Sequence, residues 1–210
     1  MDTPQNPAYM MVQSDLPVAL EKRSNRLVLH PRIIEMSTRA DQEFQLHPDR
    51  KEKNVEGKIR GWNGEYFSVE PPKFEHNTKD GKIILPARVI RVSDDFAAAH
   101  FYEKIDGNQE KNPISSLGAY VSLFVRDNVS SELIALLSTR PETAFVSPNT
   151  WNSVGAAVPI ANAENPLYGV GEKVARSYDI DLNTTAIRHE GVMLDTTNNI
   201  TLLTGSVILS

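Results

Sequence analysis

Cysteine is absent from all 210 residues. That excludes a disulfide scaffold, a thiolate metal site and a cysteine nucleophile. It also makes an intracellular, cytoplasmic setting the expected one, in which the sequons at Asn128, Asn183 and Asn199 are chance matches. Long hydrophobic runs are missing too. No stretch approaches the roughly 18 uncharged apolar residues of a membrane-spanning helix. The first turns of the chain carry Asp2, Asp15, Glu21, Lys22 and Arg23 and lack the apolar core of a secretory signal. An excess of positive charge is also missing: 22 Lys and Arg stand against 27 Asp and Glu, for a net charge of −5. A nucleic-acid polymer is therefore not an expected partner, because its binding needs a positive field over many phosphates. A small anion held by two or three local cations remains compatible. No repeat with a period of about 20 to 50 residues occurs, which excludes a solenoid or propeller. The HExxH, GxSxG, GxGxxG and Gly-Lys-Ser/Thr phosphate-loop patterns are all absent.

What is present reads as a globular chain, with 40% hydrophobic and 23% charged residues. Residues 1–58 are predicted to form a partly irregular N-terminal extension. Pro4, Pro7 and Pro17 punctuate its start, His30 and Pro31 interrupt an apolar run over 27–34, and residues 38–58 are dense in charge. Residues 59–116 turn strand-like, with Asn63-Gly64 and Asp80-Gly81 as turn signals. Ser93 or Asp94 is predicted to cap a helix running to residue 105, with Phe96, Ala97, His100, Phe101 and Ile105 as its apolar stripe and Gly107 past its end. From residue 117 the signal sharpens. Two strands over 119–125 and 133–137 flank a turn at Asp127-Asn128, and Arg140-Pro141 ends the hairpin. Asn165-Pro166 pairs an amide cap with proline at the first helical position. Leu167, Val170, Val174 and Tyr178 then recur at helical spacing, predicting a helix over 166–178 that Gly169 and Gly171 weaken by about 1 kcal/mol each. Two strands follow, over 187–194 and 200–209, with Asn198-Asn199 as their turn. The run stops at Ser210 without a terminal helix, so a fragment of a longer protein is expected.

The order from residue 117 onward resembles a Nudix domain. A strand over 120–125, a second over 132–137, Arg140, and Trp151 four residues before Gly155-Ala156 match the opening pattern of that family. The resemblance implies an α+β fold, an α/β/α sandwich around a mixed sheet, here with a β-rich N-terminal extension and a Nudix-like domain over 117–210. The family's signature is Gly, five residues, Glu, seven residues, Arg-Glu, an aliphatic, any residue, Glu-Glu, any residue, Gly and an aliphatic. In this chain Glu164, Val174 and Ile180 keep their types, while Glu172-Lys173 replaces Arg-Glu, Arg176-Ser177 replaces Glu-Glu, and Val158 and Asp179 replace the glycines. Positions 173, 176 and 177 share one helix face. Three carboxylates there would hold Mg²⁺ through oxygen ligands and act on a diphosphate. Lysine and arginine repel that ion, so no metal site and no cofactor are expected.

The resemblance thus implies a degenerate Nudix box in a protein that has lost metal-dependent hydrolysis. It would bind a nucleotide or another phosphorylated ligand, or a protein partner. Arg140, Lys173 and Arg176 are the candidate phosphate contacts, Trp151 the candidate base-stacking platform, and Glu164 the candidate surviving catalytic base. Against these stand plainer roles: a solvated helix face with a Glu172–Arg176 ion pair, a helix-dipole contact for Glu164, and a core anchor for Trp151. Two alternatives accompany this reading. One is an active hydrolase of nucleoside-diphosphate derivatives that uses Mg²⁺ and the carboxylates of Glu164, Glu172 and Glu190. The other is a structural module of a larger protein. A homodimer is compatible with all three. His30, His47, His76, His100 and His189 are scattered, and His189-Glu190 reads as a surface pair.

Overall fold

A computed structural model of the protein describes residues 9–24, 27–39, 42, 46–47, 54–55, 58–59, 61–69, 78–104, 112–139, 151–152, 154–158, 160–180, 187–195 and 199–209. In chain order the strands are β1 (Tyr9–Gln13), β2 (Val18–Lys22), β3 (Leu46–His47), β4 (Asn54–Val55), β5 (Lys58–Ile59), β6 (Gly61–Trp62), β7 (Glu65–Val69), β8 (Thr78–Lys79), β9 (Lys82–Arg91), β10 (Ser116–Arg126), β11 (Leu133–Leu136), β12 (Ser138–Thr139), β13 (Trp151–Asn152), β14 (Val154–Ala157), β15 (Arg188–Asp195) and β16 (Ile200–Leu209). The helices are α1 (Pro31–Thr38), α2 (Val92–Lys104) and α3 (Pro166–Tyr178). The class is α+β. Ten strands form one mixed sheet in the order β1-β15-β16-β10-β7-β9-β2, with β11 and β14 also on β10 and β8 on β9. Within it β10–β16 and β2–β9 are parallel and the other pairs antiparallel.

The axis of the sheet is β10. One of its edges pairs with β16 along the whole strand. The other is shared in turn by β7 at Ser116, β14 at residues 118–121 and β11 at residues 123–126. Its side chains alternate strictly: Leu117, Ala119, Val121 and Leu123 are buried. On β16 the matching positions are Thr201, Leu203, Gly205 and Val207. These residues face α3, whose Leu167, Val170 and Val174 are 0–1% exposed and join the same core with Phe67, Val69, Ile83 and Leu85. The opposite face of the sheet carries a second core, built from Tyr66 of β7, Ile90 of β9, Ile33 of α1 and Ala97 and Ala98 of α2, with Ile114. Successive strand residues point to opposite faces, so adjacent Tyr66 and Phe67 belong to different cores. Helices therefore cover the sheet on both sides.

The local signals account for most elements. Asp80 and Gly81 both have positive φ, 53° and 72°, the primed turn that joins twisted hairpin strands. The side chain of Asn165 accepts from the Tyr168 N–H at 3.3 Å and Pro166 opens α3. Asp179 closes it in the left-handed conformation. At Gly169 a Cβ would lie 2.7 Å from the Asn162 side chain, which would have to shift to admit it.

Four expectations change. Residues 9–22, read as extension, supply the two ends of the main sheet: β1 pairs with β15 and β2 with β9. A five-residue strand offers too few periods to stand out among polar neighbours. The apolar run at 27–34 contains a helix start rather than an interruption. The His30 Nδ1 accepts from the Arg32 N–H at 3.2 Å and Pro31 takes the first helical position. The α2 cap is not Ser93 or Asp94. Asn63 Oδ1 accepts the Ser93 N–H at 2.9 Å and Gly64 O accepts the Val92 N–H at 3.0 Å. Asn63 and Gly64 do not form the expected hairpin turn, since neither has positive φ and β6 and β7 do not pair with each other; they cap a helix 30 residues away instead, a partnership that local sequence cannot display. Among the described residues of α2, Ser93, Ala97 and Ala98 are buried, with Phe101 partly covered. Ile105, Gly107 and most of residues 38–58 lie outside the described residues.

Candidate functional site

The amphipathic spacing of α3 sets where its charges go. With Leu167, Val170 and Val174 against the sheet, the helix turns Glu172, Lys173 and Arg176 outward, and all three are exposed. Lys173 and Arg176 are three residues apart and so share a face. Arg176 sits in the last turn, where a cation complements the helix dipole. Its Nε donates to the Glu172 carbonyl oxygen at 3.4 Å, so the expected Glu172–Arg176 carboxylate pair is replaced by a backbone contact. The side chain of Ser177 lies outside the described residues.

Glu164 is exposed and precedes the Asn165 cap, just after a short 3-10 turn at Ile160–Asn162. That turn is anchored on β2 by the Leu20 N–H, which donates to Ala163 O at 2.8 Å. At 1.5 Å per residue, Glu164 and Lys173 stand on the order of 13 Å apart along the helix axis. The structure therefore places Glu164 at the opposite end of α3 from Lys173 and Arg176. Glu190 is further removed. Its Oε1 accepts from Ser206 Oγ at 2.5 Å and lies 3.7 Å from the Arg188 Nε. Ser206 falls between Gly205 and Val207, which face α3, so Ser206 and Glu190 point to the other side of the sheet. Among the described residues no three His, Asp or Glu side chains are grouped to hold a metal ion. Arg140 lies outside the described residues. The backbone of Trp151 pairs with Thr139, and its side chain also lies outside them.

A polar cluster that the sequence reading did not single out sits under α2. Asp95 Oδ2 accepts from the Tyr66 hydroxyl at 2.5 Å and from Ser116 Oγ at 2.7 Å. Asp94 is engaged beside it. Its Oδ1 accepts from Ser37 Oγ at 2.6 Å and its Oδ2 from the Arg91 N–H at 3.2 Å, tying α1 to the start of α2. Burial pushes the Asp95 carboxyl above the usual carboxylate range, against its two hydroxyl donors. Burial, reinforced by the neighbouring Asp95 charge, holds the Tyr66 phenol protonated far beyond its ordinary range. The detectable signal was Asp94-Asp95 at a helix start, but only tertiary packing brings Tyr66 and Ser116 to it. The cluster joins α2, β7 and β10 and has the character of a docking latch. His189, half-buried beside the bulge in β15, is shifted below its usual value by burial.

Among the described residues no helix is long and apolar enough to cross a membrane. No family model matches the sequence, and no curated protein matches it.

Proposed function

We propose that the chain is a Nudix-like domain that binds a small anionic ligand, a nucleotide or another phosphorylated molecule, without metal-dependent hydrolysis. The observation that carries this reading is the outward face of α3. Val174, at 0% exposure, sets the helix register, and that register presents Lys173 and Arg176 to solvent where the Nudix pattern has carboxylates. Phosphate oxygens accept charge-assisted hydrogen bonds from ammonium and guanidinium groups directly, without a bridging Mg²⁺. Helices on both faces of a mixed sheet, with α3 over β10, β14 and β16, support the α/β/α sandwich. Arg140, in the segment after β12, is the proposed third cation, and Trp151 the proposed stacking surface. An acidic segment of a protein partner would be recognised through the same cations.

Calorimetric titration of a nucleotide panel into the wild-type chain and into Lys173→Ala/Arg176→Ala tests the reading. Each charge-assisted contact contributes about 1.5–3 kcal/mol, so losing two weakens binding by about two to four orders of magnitude. Unchanged affinity in the double variant would place the site elsewhere. Absence of binding at millimolar nucleotide, or turnover stimulated by Mg²⁺ or Mn²⁺, would overturn the proposal.

A further inference from the structure

We infer that α1 and α2 form one layer whose docking on the sheet is set by a single proton: the layer closes with Asp95 protonated and opens when Asp95 ionises. The two helices are tied to each other. Ser37 Oγ of α1 donates to Asp94 Oδ1 of α2 at 2.6 Å and lies 2.9 Å from Ser93 Oγ. His30, which caps α1, stacks on Phe101 of α2 with ring centroids 4.7 Å apart. Ile33 of α1 shares a core with Ala97 and Ala98 of α2.

The apolar hold of this layer on the sheet is slight. Six buried residues make up its core, against nineteen in the core under α3. The buried apolar side chains of α2 are two alanines, each a single methyl group. Stabilisation by burial follows apolar area, and elements with few buried apolar contacts open before the rest of a fold. The polar cluster at the seam therefore carries a large share of the docking. In it Asp95 Oδ2 accepts from Tyr66 of β7 and from Ser116 of β10.

Among the described residues no cation acts on Asp95. The groups that do are Tyr66 and Ser116, which donate to it, and Asp94, whose charge opposes its own. The surrounding elements carry other titratable groups. On α1 these are His30 and the exposed Glu35–Arg39 pair. On β7 Glu65 is exposed at the strand's start. On β9 Arg88 shares the face of Ile90, and Arg91 gives Asp94 its backbone N–H. On α2 itself His100 and Tyr102 lie one to two turns further along, and the side chains of Glu103 and Lys104 are outside the described residues. None of these is among the groups that shift Asp95. The α2 dipole favours a carboxylate in its first turn, but does so whether or not the helix is docked. Burial outweighs the two donors, and undocking returns the carboxyl to water, so the open layer ionises at lower pH than the closed one. From the ordinary 3.8 up to the raised value of the closed state, opening gains up to tenfold per pH unit; above that it is level. The inference does not depend on the proposed ligand.

Amide hydrogen exchange of the full chain from about pH 4 to 8, with each rate divided by the intrinsic rate at that pH, reads this opening directly. Amides of 93–104 should open far more often than those of β10 and β16, and their opening should rise with pH and then level. Asp95→Asn keeps an acceptor for both hydroxyls and cannot ionise, so its opening should not change with pH. Tyr66→Phe keeps the ring and removes one donor to the carboxylate. Charge-assisted hydrogen bonds are about twice as strong as neutral ones, so this variant should open more than wild type chiefly at the upper end of the range. The wild-type measurement needs no variant and keeps the test valid if either substitution unfolds the chain. Opening of 93–104 that is independent of pH in wild type, protection there equal to that of β10 and β16, or the wild-type pH response retained in folded Asp95→Asn would overturn the inference.

Discussion

Gly191→Ala is expected to destabilise the protein by about 3 kcal/mol or more and to loosen β1. Two costs combine. Gly191 has φ +149°, a conformation L-residues rarely adopt, and holding alanine there costs about 1–3 kcal/mol. In addition, the new Cβ would stand 2.2 Å from the Val12 carbonyl oxygen and 3.1 Å from the Gln13 Cα. These are backbone atoms of β1, which cannot rotate away as a side chain could. Gly191 is the last partner in the β1–β15 ladder, opposite Gln13, and directly follows the bulge in β15. The chain must then either distort the bulge or release β1. Release caps the cost at the docking energy of an edge strand whose Met11 is 55% exposed. Urea unfolding gives the total, and hydrogen exchange over residues 9–13 separates the two responses. A loss below about 1 kcal/mol with β1 protection unchanged would refute the reasoning.

Val174→Ala should cost about 2–3 kcal/mol in urea unfolding, from two buried methyl groups and the cavity they leave, whereas Lys173→Ala on the exposed face should stay within about 0.5 kcal/mol. Asn63→Ala should cost about 0.5–2 kcal/mol, as removal of a helix cap does, with faster amide exchange at the start of α2 as its local signature. Asp95→Asn should change the pH profile of stability. Burial raises the Asp95 carboxyl above its ordinary 3.8, so the folded state binds that proton more tightly than the unfolded one. Stability therefore falls as pH rises from about 3.8 through the folded value and is level above it. Unfolding across this window should show that fall in the wild type and not in Asp95→Asn; identical slopes would refute the assignment.

The parts of the fold visible in the sequence are those whose determinants lie within a few residues of one another. The α3 span follows from an amide cap, a proline and an apolar spacing of three and four. The Asp80-Gly81 hairpin follows from two residues that tolerate positive φ. The outward course of Lys173 and Arg176 was legible for the same reason, because helical periodicity alone sets them off the Leu167, Val170 and Val174 stripe, Lys173 at its flank and Arg176 nearly opposite. The separation of Glu164 from them is fixed by helix rise. What escaped the sequence depends on partners far apart in the chain. The α2 cap comes from Asn63. Asp95 is held by Tyr66 and Ser116, 29 and 21 residues away. The placement of Glu190 behind the sheet follows from its pairing with Ser206 across β15 and β16. The closeness of the Asn162 side chain to Gly169 comes from the 3-10 turn before α3, not from the helix itself. Residues 9–22 looked irregular because one or two strand periods carry little pattern, and their place at the ends of the sheet is decided by the edges that β15 and β9 leave open. Local sequence specifies conformation where the competing energies are those of a single turn. Which faces are covered and which polar groups find partners is settled only when backbone hydrogen bonds and apolar burial are satisfied over the whole sheet at once.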